Sequence, residues 1–150
     1  MVHEAAFRRV REELNDLPCV FERALIAHHA VCQHALRRQI AEREAVACGQ
    51  PQAEAVCATL SALLRENSAF ALGVTDTRRI LPHAMMMKIQ CGGLEGLRAL
   101  LDAAAAVPDV PRLADLARER YGELAGLPFS EIVQGVAAWK VRRRRPGAPR

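Results

Sequence analysis

The run PCVFERALIAHHAVCQHALRRQIAEREAVACG, residues 18 to 49, has no glycine or proline between its ends and carries cysteines at its start, middle and end. Whatever this chain folds into must accommodate that run. Phe21, Leu25, His28, Cys32, Leu36 and Ile40 recur at gaps of three and four, which keeps one face of a helix turned inward. The run is rich in Ala, Leu, Arg, Glu and Gln, which lose little freedom in a helix. Pro18 suits a first helical turn and Gly49 the position just past a last one. The pattern predicts one helix over residues 18–48, about 45 Å long at ~1.5 Å per residue.

The fold class expected is therefore all-α: a single-domain bundle of five to six helices organised around that long helix. Composition agrees. Of the residues 51% are hydrophobic but only 4% aromatic, and β-branched residues, which a sheet protein would need, are sparse. A short helix is expected over residues 3–14. After the turn Gly49-Gln50-Pro51, a second helix returns antiparallel over residues 52–72. Thr75 or Asp76 would cap the next segment. A helix over 82–91 ends or kinks at Gly92-Gly93, and 94–106 continues with Leu94, Leu97 and Leu101 inward. Helices over 112–121 and 131–144 complete the bundle, the last capped by Ser130. The bundle domain spans 1–144, and 145–150 is read as a disordered basic tail.

Six of the 21 basic residues lie in 140–150, and the rest of the chain holds 15 against 17 acids. The basic character belongs to the tail, where Arg142, Arg143, Arg144 and Arg145 could meet an acidic protein partner or a phosphate backbone. Nothing in the chain reads bases, so nucleic acid is the weaker expectation. The amino terminus is charged and amphipathic, unlike a secretory leader, and no stretch has the ~20 apolar residues of a membrane span. The compartment read from this is the cytoplasm. Five cysteines, an odd number, argue there against a disulfide framework.

Successive cysteines stand 13, 16, 9 and 34 residues apart, with no C-x-x-C pair. Packing must gather any site they form. In an antiparallel helical hairpin, Cys48, Cys57 and Cys91 converge at one end. Cys32 would lie about 24 Å along a straight helix from Cys48, and joins them only if the helix breaks, around residues 41–47. The expected ligand set is Cys32, Cys48, Cys57 and Cys91, holding an iron–sulfur cluster or a single soft metal ion (Zn, Cu or Fe). Cys19 is left as a spare or structural thiol. The competing reading is that these cysteines are small core hydrophobes and bind nothing.

Softer ligands could add to this. His83, Met87 and Cys91 fall at i, i+4 and i+8, and His28 precedes Cys32 by one turn, so His28, His83 and Met87 are secondary metal candidates. Met85 and Met86 beside them could instead form an adaptable docking surface. No nucleophile elbow, zinc-protease motif or phosphate loop is present, so an enzymatic reading would rest on a cofactor alone. The function expected is a small protein using a cluster or soft metal for electron transfer, redox sensing or cofactor handling. The alternative is a non-catalytic adaptor using the Met-rich helix and the Arg tail. An alanine-rich bundle of this kind could also form a homodimer.

Overall fold

The computed structural model describes residues 17–74 and 80–140. The expected helix over 3–14, the caps at Thr75 and Asp76, and the tail with Arg142, Arg143, Arg144 and Arg145 lie outside them. Among the described residues there are five helices and one two-stranded antiparallel sheet, so the all-α expectation is corrected to a mixed, mainly helical fold.

The correction falls on the run that was to be one long helix. Only Glu22–Ile26 is helical there (α1). His28 takes a left-handed backbone, φ 60, and the N–H groups of His28 and His29 donate to the carbonyls of Leu25 and Ala24. That closure satisfies the last carbonyls and stops the helix. The chain then forms a hairpin of Ala35–Ile40 (β1) and Arg43–Cys48 (β2), with Ala35 opposite Cys48 and Ile40 opposite Arg43. Helix propensity in this run is worth only tenths of a kcal/mol per residue. Burial outweighs it: Ala45, Val46 and Ala47 are consecutive and all at most 4% exposed. A helix with one inward face cannot bury three residues in a row, whereas a strand covered on both faces can.

β2 is also paired on its other side. Pro18 bridges to Ala47, the Cys19 N–H donates to the Val46 carbonyl at 2.9 Å, and the Cys48 N–H donates to Leu17 at 2.8 Å. Glu22 Oε2 accepts from the Val46 N–H at 2.9 Å, tying α1 to the same strand.

The remaining helices follow the expected pattern more closely. Pro51–Ser68 (α2) begins with proline in its first turn. The third helix (α3) is continuous through His83–Met87, a π-helical turn Lys88–Gly92, and Gly93–Leu101. Gly92-Gly93 therefore neither ends nor simply kinks the helix. These glycines let it pack closely. A Cβ on Gly92 would lie 2.7 Å from the Gly135 carbonyl oxygen, and one on Gly96 would lie 2.5 Å from that of Ile132. Val110–Tyr121 (α4) is capped by Asp109, whose side chain accepts from the Arg112 N–H. Phe129–Ala138 (α5) starts without the expected Ser130 side-chain cap and ends before Trp139.

Leu64, Leu94, Leu97, Leu113, Ile132 and Val136 form the centre of the core, each at most 1% exposed. Each such side chain contributes roughly 1.5–3 kcal/mol of burial. Gln90 is a buried polar exception, and its amide is used. Its Oε1 accepts from Ala24 N–H and its Nε2 donates to the Val20 carbonyl, both at 3.2 Å. Helix α1 has no N-cap side chain of its own, so Gln90 fixes the segment that follows Cys19. No helix among the described residues is long and apolar enough to cross a membrane.

Candidate functional site

Four short stretches meet beside the hairpin, and each brings one cysteine. Cys19 lies on the extended piece paired with β2, just before α1. Cys32 lies in the loop between α1 and β1. That loop is held by its neighbour Val31, whose N–H donates to Pro108 and whose carbonyl accepts from Val110. Cys48 ends β2, and Cys57 sits in the second turn of α2. All four line one cavity of about 250 Å³, closed on another side by Val110, Ala114 and Arg118 of α4.

The electrostatics follow the same grouping. Burial pushes the Cys19 thiol up to about 11 and the Cys57 thiol up to about 12, and it raises Cys32 as well. Charge on the neighbouring thiols adds to this, and all six pairings among Cys19, Cys32, Cys48 and Cys57 contribute. Glu22, Asp109 and Glu54 push the same way on Cys19, Cys32 and Cys57. Opposing them are backbone N–H groups: Phe21 donates towards Cys19, and His34 and Ala35 towards Cys32. Donors two and three residues after a cysteine favour its thiolate. The Cys48 thiol donates to the Gln50 carbonyl at 3.2 Å.

All five cysteines are free. The strand pairing explains why Cys19 and Cys48 do not bridge. With Pro18 opposite Ala47, they are diagonal neighbours, about 7–8 Å apart. A disulfide needs Cα atoms within about 6.8 Å. Four zinc-bound sulfurs, at bonds of about 2.3 Å, would sit only about 4 Å from one another. Among the described residues no group of three or more His, Cys, Asp or Glu is arranged to hold a metal ion. The thiols surround a shared space and do not converge on a point.

Of the expected ligands, Cys32, Cys48 and Cys57 are brought together and Cys91 is not. Cys91 is 2% exposed, in the π-helical turn of α3, and its thiol is pushed up to about 11 by burial alone. It lines a separate cleft of about 550 Å³ with His28, His29 and Trp139, whose ring meets His29 edge-on at 5.5 Å. The residue that sequence reasoning set aside, Cys19, takes its place. A signal was available. The gap of 34 residues isolates Cys91, while the other four cysteines fall between 19 and 57.

The secondary candidates do not assemble either. His28 is exposed just past the end of α1 and lines the Cys91 cleft, not the cavity of Cys32. His83 Nδ1 is engaged by the Arg23 guanidinium. Met87 is buried in the core, and Met85 and Met86 pack half-buried against it. No protein-family profile, curated protein or solved structure matches the chain.

Proposed function

We propose that the chain binds an iron–sulfur cluster through Cys19, Cys32, Cys48 and Cys57 and uses it in one-electron redox, as a carrier or a sensor, in the cytoplasm. The observation behind this is the four thiols lining one 250 Å³ cavity, each from a different stretch of chain. Their chemistry fits. Four thiolates are the common ligand set of such clusters. Four negative charges in a partly buried site need a positively charged partner, and iron supplies it. The N–H donors on Cys19 and Cys32 are of the kind that tune cluster potentials. Ligation by four thiolates leaves no iron site open to substrate, which favours electron exchange over catalysis at the metal.

The test is anaerobic, iron-replete expression, followed by iron and acid-labile sulfide analysis and visible absorption. Brown protein with iron and sulfide in equal amounts supports the reading. Colourless protein, or one zinc per chain without sulfide, overturns it.

A further inference from the structure

We infer that occupancy of the four-thiol site governs the order of the outer strand β1, so that the chain reports cluster loss by releasing residues 33–42. This rests on the cluster reading above and names how that site would act.

The two strands of the hairpin are held very differently. β2 is buried at Ala45, Val46 and Ala47, and is fastened to Leu17, Cys19 and Glu22 by hydrogen bonds. Among the described residues β1 is the sheet's edge and pairs with β2 alone. Of its residues only Ile40 is buried, and Leu36 is 44% exposed. Beyond the ladder, Arg37 donates to Glu44 of β2 and to the Leu25 carbonyl, and the Gly49 N–H donates to His34. A two-stranded ribbon with an exposed outer strand lies at the low end of local stability.

Two of the four thiols stand at the open end of this hairpin. Cys32 precedes β1 by three residues, and its carbonyl accepts the N–H of Ala35, the first residue of β1, at 3.2 Å. Cys48 closes β2 and pairs with Ala35. The other two thiols belong to the firmly held side, Cys19 next to β2 and Cys57 on α2. A group bonded to all four therefore adds a second tie between the foot of β1 and the body of the protein, beside the Val31 hydrogen bonds to Pro108 and Val110. Without that group, the thiols contribute no bond across the gap, and any that ionise repel one another.

Hydrogen–deuterium exchange of the whole chain tests this. Protein reconstituted anaerobically with ferrous iron and sulfide is compared with the same protein stripped by a chelator. Amides of residues 35–40 are expected to lose protection by about tenfold or more on stripping, while those of α4 and α5 keep theirs. Unchanged protection at 35–40 in protein shown to carry iron and sulfide overturns the coupling alone. So does loss of protection spread evenly over the chain, since that is global unfolding. Failure to take up iron and sulfide at all overturns the cluster reading, and the coupling with it.

Discussion

Cys19 lies diagonally across from Cys48 on neighbouring extended segments, with Pro18 and Ala47 paired between them. That offset keeps the sulfurs near one another without letting them bridge. It also makes a prediction that separates Cys19 from Cys91. Cys→Ser at 19, 32, 48 or 57 should each abolish or sharply reduce bound iron. Cys91→Ala should keep full iron and sulfide content and cost only about 1 kcal/mol for the small void in α3. Metal analysis of the five variants checks this, with thermal melts to show that each one folds. Iron retained by Cys19→Ser and lost by Cys91→Ala would reverse the assignment.

Gly135 and Gly92 bring α5 and α3 into backbone contact. A Cβ on Gly135 would stand 2.6 Å from the Gly92 carbonyl oxygen and 3.0 Å from Gly96. Alanine gains up to about 1 kcal/mol over glycine in a helix interior. Overpacking against rigid backbone costs about 1–3 kcal/mol, so the clash wins and Gly135→Ala should lower stability. Gly93→Ala is a useful contrast. Its Cβ would meet only the Leu64 side chain, at 3.0 Å, which can shift. Chemical denaturation should show a clearly larger loss for Gly135→Ala.

The helices past residue 50 were legible because their apolar residues recur with a helical period, and that face is the buried one: Leu94, Leu97 and Leu101 all turn inward. The hairpin was not legible. Its β1 sequence, ALRRQI, is made of good helix formers, and only the run Ala45-Val46-Ala47 hints at a strand covered on both sides. Its burial depends on α1 and on Pro18–Cys19 packing against β2, which no local pattern encodes. The same error displaced the site. A straight helix holds Cys32 far from Cys48, whereas the hairpin returns the chain and sets Ala35 opposite Cys48. The helix ends at Ile26, well before residues 41–47, where a break was the condition for Cys32 to join, and the chain reverses at Ala41-Glu42.

The raised thiols set the pH behaviour of the metal-free protein. From the ordinary 9.0, Cys19 rises to about 11 and Cys57 to about 12, chiefly by burial. Below pH 9 both are protonated whether the chain is folded or not, and they cause no pH dependence. Above it, the unfolded chain loses protons that the folded chain retains, so stability should fall as pH rises from about 9 towards 12. Denaturant midpoints measured between pH 7 and 11 under reducing conditions check this. Metal uptake has the opposite sign, because binding must displace those protons. Cadmium added to the metal-free protein should release acid, and its affinity should rise with pH. An affinity that does not change between pH 6 and 8 would mean that the thiols are not its ligands.

Ala41 offers a way to stabilise the hairpin without touching any thiol. It is the first residue of the two-residue loop between Ile40 and Arg43, and it holds φ 56. Non-glycine residues are strained there by roughly 1–2 kcal/mol, and glycine is preferred at the first position of such loops. Glycine also has more unfolded-state freedom to lose, which offsets part of the gain. The expected net effect of Ala41→Gly is a stabilisation of about 0.5–1 kcal/mol. It should be read most strongly in the exchange protection of residues 35–40, and in metal-free as well as loaded protein. Because Ala41 lies at the tip of the hairpin and the thiols lie at its foot, iron content should not change. If Ala41→Gly instead lowers protection at 35–40, the left-handed backbone at the tip is held by contacts of the alanine methyl and not by loop geometry, and strain at the tip is not what limits the order of β1.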